Sequence, residues 1–384
     1  MGFDFVAVGS GVISYLIPFL FVLTLVVFFH ELGHFLIARW CGVRVMVFSI
    51  GFGPELLGFN DRHGTRWKVS AIPLGGYVKF FGDDNAASVP DQTALAAMSE
   101  EERRESFIDQ PVRSRAAIVV AGPVANFILA IVIFAGIFML AGRPFTPARV
   151  DQVQPGSAAE MAGLKPGDIV VAIDGHAIDG FNQLQRTVQT HGGKTLTLTV
   201  DRGGERLDLK ATPSVRGFCN GVLGISKSNA TGEAKVHKAA PLAAIRMGAE
   251  ETYFIIERSL CFVAGVVVGR ESADQLGGPA RIAQVSGDVW KTGLSAGGAS
   301  GAITSLLYLA GLLSASIGLL NLFPIPLLDG GHLLFYGIEA ARGRPLSERA
   351  QEVGFRIGLA IVVMLMIFAT YNDILHLAAQ WTAS

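Results

Sequence analysis

Four long apolar segments constrain the fold of this chain more than any other feature. A helix that crosses the hydrocarbon core of a membrane needs about 20 predominantly apolar residues. The segments that meet this requirement are Ile13–Ile37, Ala116–Leu140, Ala302–Phe323 and Phe355–Tyr371. Because 51% of the 384 residues are hydrophobic and only 16% are charged, the composition also lies outside the range of ordinary soluble proteins. We therefore predict a polytopic α-helical membrane protein with about four transmembrane helices in a lipid bilayer.

The first apolar segment contains a His-Glu-x-x-His motif. In a helix, His30 and His34 lie one turn apart on the same face, so that both can bind one metal ion. Glu31 is rotated by about 100° from His30, which suits a general base beside the metal. Chance polar residues are the alternative, but a charged side chain at the centre of a membrane helix costs roughly 2.5–3.5 kcal/mol on insertion scales. The motif therefore predicts a zinc site in this helix.

The basic residues close to the spans predict the orientation of the chain. Cytoplasmic loops carry an excess of Lys and Arg. The loop after the first span is basic and the loop after the third contains Arg342, Arg344 and Arg349, whereas the two tails have no Lys or Arg. We expect the first segment to be a retained span and not a cleaved signal peptide. In a bacterial inner membrane, both termini and the long segment between spans two and three would then face the periplasm, with the metal motif toward the cytoplasm.

Two apolar pieces between the first two spans predict a membrane-associated β element. Residues 45–53 and 69–80 are rich in β-branched and aromatic side chains, and a charged turn separates them. Gly75 and Gly76 leave the backbone open to close approach by another chain. A plain amphipathic hairpin resting on the membrane surface is the alternative. The acidic stretch 83–106 predicts an exposed loop or a short surface helix.

The segment between spans two and three predicts one soluble domain over residues 144–228. The order of its strands and the turns Gly-Leu-x-x-Gly-Asp-x-Ile and Ile-Asp-Gly resemble a bacterial PDZ domain, an α+β fold that captures extended peptides beside a sheet edge. No Gly-Leu-Gly-Phe loop opens the domain, and the Val-Leu-Gly-Ile sequence at 222–225 forms such a loop only if the strands are permuted. A peptide ligand and a steric cap that binds no specific peptide therefore both stay open. Residues 241–269 predict an amphipathic helix at the outer interface.

The third span ends in a second informative motif, which runs from Asn321 to His332. Pro324 and Pro326 cannot continue a regular helix, so the freed carbonyls must be satisfied inside protein or in a wet cavity. Asp329 can complete a His-His-Asp set with an open position for water, the arrangement of a catalytic zinc site. His332 competes with Asp329 on spacing alone. Asp329 is favoured because zinc hydrolases commonly pair two His with one carboxylate.

Taken together, these motifs resemble the site-2 protease family of intramembrane zinc metalloproteases. The resemblance rests on the His-Glu-x-x-His of the first span, the Gly-Pro-x-x-Asn at 122–126 of the second, the motif at 321–332 and the PDZ-like unit. It covers nearly the whole chain, and the bacterial regulator-of-sigma-E proteases are the most similar group. Better-known members of that group carry two tandem PDZ units, whereas one is found here. From the residues alone, we expect Asn126 to form a hydrogen bond between helices.

The resemblance implies a role for each residue of the site. It implies that zinc is bound by His30, His34 and Asp329, and that the base is Glu31. It also implies that the substrate is held by Asn321, Gly75 and Gly76. The implied activity is hydrolysis of peptide bonds in or near the transmembrane segments of single-span proteins, such as a trimmed anti-sigma factor or remnant signal peptides. A membrane scaffold or chaperone that binds partners through the PDZ unit is the alternative, although a purely structural metal site would need no base.

The predicted organisation has seven consecutive parts. They are the first transmembrane helix (1–41), a cytoplasmic-side segment with the β element (42–112), the second transmembrane helix (113–143), the PDZ domain (144–228), an amphipathic helix and linker (229–301), the third transmembrane helix with the Asp-Gly-Gly-His motif (302–335), and a loop with the fourth transmembrane helix (336–384). The net charge of −1 and the lack of an aromatic-basic pattern argue against a nucleic-acid partner. Cys41, Cys219 and Cys261 form neither a disulfide framework nor a Cys-x-x-Cys pair, so we predict free thiols.

Overall fold

The structure is a computed structural model that describes residues 5–82, 98–178, 180–226, 235–275 and 277–383. In chain order, its α-helices are α1 (Phe5–Trp40), α2 (Glu100–Glu105), α3 (Val112–Leu140), α4 (Ala158–Met161), α5 (Phe181–Thr190), α6 (Pro241–Val267), α7 (Pro279–Asn321), α8 (Asp329–Arg342) and α9 (Glu348–Ala383). Its strands are β1 (Val45–Asn60), β2 (Arg66–Phe80), β3 (Arg143–Phe145), β4 (Gln152–Val153), β5 (Ile169–Ile173), β6 (His176–Ala177), β7 (Leu196–Arg202), β8 (Glu205–Ala211), β9 (Ser214–Arg216), β10 (Asn220–Val222), β11 (Ile225–Ser226) and β12 (Lys235–His237).

Four of the described helices are long and apolar enough to cross a membrane. These segments are Ile13–Trp40, Val112–Leu140, Pro279–Asn321 and Arg349–Ala379. They lie in α1, α3, α7 and α9, which confirms the predicted number of spans. Each helix extends beyond the apolar segment that predicted it, because polar residues at a helix end continue the same backbone hydrogen bonds. The chain is a polytopic membrane protein.

The described chain divides into two compact units. The first comprises residues 1–135, 245–256 and 276–384, and the second comprises residues 136–244 and 257–275. The first unit contains β1, β2 and most residues of each of the four spanning helices. The second unit contains the remaining strands. Residues 83–97 of the acidic stretch lie outside the described residues, and its later part forms the predicted short helix, α2.

An aromatic cluster attaches the β element to α1 in the first unit. Phe48 of β1 is fully buried, stacks on Trp67 of β2 with ring centroids 4.2 Å apart, and meets Phe35 of α1 edge to face at 5.6 Å. The Phe35 and Trp67 rings lie 5.0 Å apart. Such offset and edge-to-face contacts add to the stabilisation from burial. The β element is therefore held against the helix that carries the His-Glu-x-x-His motif.

The strands of the β element pair in two registers. Phe48 lies opposite both Val78 and Trp67, so the first half of β1 runs between the two halves of β2. Residues Gly76–Phe80 of β2 pair with β1 on one side. No strand of the described chain pairs with the other side of these residues. At the far end of the element, large apolar side chains are exposed, including Leu57 at 72%. The result is a small sheet with an open edge and an apolar tip.

The third spanning helix differs from the predicted organisation at its start. α7 begins at Pro279, and the stretch predicted as a linker before residue 302 is instead helical on both sides of a break at Gly297 and Gly298. Gly298 has a φ of +61°, which glycine adopts without a Cβ penalty. The first half of α7 contains too many polar residues to form a long apolar segment, so the sequence did not predict it as part of the span. The helix ends at Asn321, before the two prolines, as predicted.

The second unit is built on a four-stranded antiparallel sheet in the order β6-β5-β7-β8. Leu196, Leu198 and Val200 alternate along β7 and are each at most 1% exposed, because successive side chains of a strand point to opposite faces. Leu184 and Val188 on one face of α5 are also buried in this core. Helix α5 and strand β7 thus share one hydrophobic core.

The prediction of three free thiols is wrong for two of them. Cys219 and Cys261 form a disulfide within the second unit, and Cys41 is free. The pairing joins the β9–β10 turn to α6, where Arg258 donates to the Cys219 carbonyl oxygen at 3.1 Å. No local sequence pattern predicts this disulfide, because the two cysteines are 42 residues apart and come together through the packing of α6 on the turn.

Candidate metal centre and active-site cavity

The two histidines of the motif converge on one point. His30 and His34 lie on consecutive turns of α1, and their Nε2 atoms are 3.2 Å apart. The rings meet edge to face with centroids 4.8 Å apart. This convergence follows directly from the four-residue spacing on a helix.

Asp329 joins the two histidines, as the sequence predicts. Its Oδ2 lies 3.2 Å from His30 Nε2 and its Oδ1 lies 3.6 Å from His34 Nε2. Asp329 is the first residue of α8, just after the chain leaves α7 through the two prolines and Leu327, whose φ is 106°. The break places the carboxylate beside the two histidines of α1. One ligand atom from each of the three residues lies within 4.8 Å of the others.

The three residues fit a metal ion by the chemistry of their donor atoms. Two imidazole nitrogens and a carboxylate are the donor types that catalytic zinc sites use with one position left open. Asp329 Oδ2 is buried and accepts no hydrogen bond of acceptable geometry from any described group. The large majority of buried polar side-chain atoms in proteins have a hydrogen-bond partner. A cation held between the three side chains accounts for this atom.

The other predicted site residues lie around the same cavity, which has a volume of about 890 Å³. Its walls include Glu31, Gly75, Gly76 and Asn321. Asn321 Nδ2 lies 3.5 Å from His30 Nε2. A Cβ on Gly76 would lie 2.9 Å from Val27 and 3.1 Å from Glu31 Cγ, so only glycine permits this approach of β2 to α1. Val78 of β2 also lines this cavity.

His332 lines the cavity but does not belong to the metal cluster. It lies one turn after Asp329 on α8. Its ring faces Phe355 of α9 at a centroid distance of 5.4 Å and Tyr336 at 6.4 Å. The His-His-Asp group of the described chain therefore contains the carboxylate that was favoured and not the competing histidine.

Helix α3 supports both histidines. Asn126 forms the predicted hydrogen bond between helices, although the sequence did not predict His30 as its partner. His34 Nδ1 lies 2.9 Å from the backbone oxygen of Ile118, and His30 Nδ1 lies 3.2 Å from Asn126 Nδ2. A Cβ on Gly122 would overlap the His34 ring, and one on Gly33 would overlap the α3 backbone. The Gly-Pro-x-x-Asn spacing was the available signal, since it puts a glycine and an amide one turn apart on one face of α3.

A His-His-carboxylate centre with a glutamate beside it, set among membrane-spanning helices, defines a class of metal-dependent hydrolases. The chain belongs to peptidase family M50, the site-2 protease family, whose model matches residues 18–365. It is 50% identical over 369 residues to "Putative zinc metalloprotease Atu1380" of Agrobacterium fabrum, covering 94% of this chain and 96% of the relative. It is also 40% identical over 382 residues to "Metalloprotease MmpA" of Caulobacter vibrioides, covering 95% and 96%. The cofactor is zinc, and His30, His34 and Asp329 fit it.

Proposed function

We propose that this zinc metalloprotease cleaves peptide bonds in or near the transmembrane segments of single-span membrane proteins. The observation that carries the proposal is the open strand edge beside Glu31. Residues Gly76–Phe80 of β2 pair with β1 on one side only among the described strands, and Gly76 lies against Glu31 at the cavity. An extended peptide can add to such an edge through main-chain hydrogen bonds.

A transmembrane substrate has to be unwound before it can be cleaved. Its scissile carbonyl is hydrogen-bonded inside its own helix, and a broken helix in a membrane needs new partners for its polar groups. The β2 edge at Gly75 and Gly76 offers backbone partners, and the Asn321 amide offers a side-chain partner at the centre. These groups would hold the unwound segment across the His-His-Asp cluster.

The residues of this chain divide the chemistry between them. His30, His34 and Asp329 would hold zinc, which when bound supplies a Lewis acid that polarises a carbonyl and makes water more acidic. Glu31 takes a proton from the attacking water and returns it to the leaving amine nitrogen.

The second unit is proposed to be a PDZ domain on the periplasmic side of a bacterial inner membrane. Basic residues near the spans support this orientation, as does the Cys219–Cys261 disulfide, because disulfides persist in oxidising compartments. With the active site toward the cytoplasmic side, the domain would bind a peptide or exclude substrates that still carry a bulky outer domain. Deletion of residues 150–213 should then speed cleavage of an untrimmed substrate; unchanged selectivity would exclude the size filter.

A Glu31→Gln variant tests the proposed reaction. The full-length protein, purified in detergent with its zinc, is assayed on a single-span substrate. We expect the substitution to leave the zinc content unchanged and to slow cleavage by about 10²–10⁴-fold, the usual contribution of general acid–base catalysis. Glu250→Gln, at an exposed carboxylate of α6 that pairs with Arg246, serves as the control. Cleavage at the wild-type rate by the zinc-loaded Glu31→Gln protein would refute Glu31 as the base.

A further inference from the structure

Asn126 is a buried polar residue in direct contact with a metal ligand. Its side chain is 0% exposed in α3, and its Nδ2 lies 3.2 Å from His30 Nδ1. Its Oδ1 is buried and has no hydrogen-bond partner among the described residues. An unpaired buried acceptor costs about 1–3 kcal/mol. Among the described residues, His30 is therefore the hydrogen-bonding contact of the Asn126 amide group.

The tautomer of His30 determines which atom of the amide must face the ring. A neutral imidazole that binds a metal through Nε2 carries its proton on Nδ1, and this N–H needs an acceptor. The oxygen and nitrogen of an amide exchange places by a half-turn of the side chain, so either atom can face the ring. With Oδ1 toward the ring, Asn126 accepts the His30 Nδ1–H and leaves Nε2 free for zinc.

The second histidine shows the same arrangement with a different acceptor. His34 Nδ1 donates to the backbone oxygen of Ile118 at 2.9 Å. Ile118 and Asn126 both belong to α3, so one helix contacts the Nδ1 atom of both histidines. Metal-ligating histidines almost always donate their second N–H to such a group, which fixes the tautomer and the ring.

The position of Asn126 is itself fixed by α7. Ser314 Oγ donates to the Asn126 backbone oxygen at 2.8 Å, and both residues are fully buried. A Cβ on Gly318 would lie 3.1 Å from Asn126 Cβ, so the two helices are in close contact here. The amide has little freedom to leave His30.

We propose that Asn126 is a positioning residue of the zinc site, which holds His30 in the zinc-binding tautomer by accepting its Nδ1–H through Oδ1. The inference rests on the zinc site of the proposed function and not on peptide cleavage. Zinc binding without cleavage by the wild-type protein would refute the proposed function and leave this inference intact.

Zinc affinity separates this role from a purely structural one. The full-length protein in detergent is stripped of metal, and its Zn²⁺ affinity is measured by competition with a chromophoric chelator. Co²⁺ absorption reports the ligand geometry. Asn126→Leu keeps the side-chain volume and removes the acceptor, so we expect about a 10–100-fold loss of Zn²⁺ affinity and an altered Co²⁺ spectrum. Asn126→Asp keeps an acceptor oxygen and should bind Zn²⁺ within about three-fold of wild type, since a carboxylate is a common acceptor for metal-bound His.

Asp373→Ala is the control, because it removes two buried hydrogen bonds from the start of α7, those of the Gly278 and Arg281 N–H groups to the Asp373 carboxylate, without touching Asn126 or His30. It should lower thermal stability and leave Zn²⁺ affinity unchanged. Wild-type affinity in the Asn126→Leu protein overturns the proposal, as does an equal loss of affinity in the Asp373→Ala protein. If the Asn126→Leu protein does not fold, the Asn126→Asp protein decides: affinity near wild type supports an accepting oxygen, and a loss of more than about 10-fold refutes it.

Discussion

At the scale of single residues, Asp329 and His332 of α8 differ in their contacts with the metal cluster. Asp329 lies 3.2 Å from His30 Nε2, whereas His332 packs between Tyr336 and Phe355. We expect Asp329→Ala to lose bound zinc, since two histidines alone leave the site without its carboxylate. His332→Ala should retain the zinc content of the wild type. Metal analysis of the purified proteins measures both, and zinc loss from the His332→Ala protein would make that histidine a ligand after all.

A second prediction concerns a buried carboxylate of the second unit. Asp168 accepts from Arg202 Nε at 2.7 Å and from the Lys165 N–H at 2.8 Å. Burial raises the pKa of Asp168, but these partners outweigh it and hold the pKa below its usual range. The ionised carboxylate therefore stabilises the folded unit above the ordinary Asp pKa of about 3.9, and this contribution disappears as the pH falls through the lowered value.

Hydrogen exchange of β7 amides between pH 5 and pH 2 checks this, after correction for the intrinsic exchange rate at each pH. The wild-type protein should lose protection as the pH falls. Asp168→Asn should begin with lower protection and lose less of it over the same range. A pH dependence equal to that of the wild type would show that another carboxylate dominates.

At the scale of elements, the close approach of α1 and α3 is what allows the histidines to be buried. Gly122 faces the His30 and His34 rings, where no side chain fits. Gly122→Ala should push the rings away from Asp329 and lower Zn²⁺ affinity. Gly136→Ala is the matched control in the same helix, since nothing lies within 4 Å of its added Cβ. It should leave zinc binding unchanged and slightly stabilise α3, because Ala is the better helix former. Equal zinc affinity in the two variants would contradict this account.

The elements also show what the sequence could and could not predict. Helical spacing predicted that His30 and His34 share a face, and the two prolines predicted the break that delivers Asp329. The contacts of Ile118 and Asn126 with the histidine rings depend on how α3 packs, which no local pattern contains. The first half of α7 is too polar to be recognised as part of a spanning helix, and the Cys219–Cys261 pair depends on the packing of α6.

At the scale of the whole molecule, the zinc site exists only when distant parts of the chain come together. His30 and Asp329 are far apart in the sequence, and the groups that contact Nδ1 of the two histidines belong to α3. Catalytic competence is therefore tied to assembly of the membrane-spanning helices. A fragment that contains α1 without α8 would hold two of the three ligands.

The orientation of the chain in the membrane is the last prediction, and native cysteines make it measurable. If the basic loops face the cytoplasm, Cys41 at the end of α1 lies inside and the second unit lies outside. A membrane-impermeant maleimide applied to intact spheroplasts should leave Cys41 unlabelled until the membrane is permeabilised. Glu205→Cys in a Cys41→Ser background places one exposed thiol on β8 of the second unit and should be labelled without permeabilisation. The opposite labelling pattern would show that the orientation is reversed. The Cys219–Cys261 disulfide gives an independent test, because a disulfide persists in an oxidising compartment. Labelling of these two cysteines without reductant would contradict the periplasmic location of the second unit.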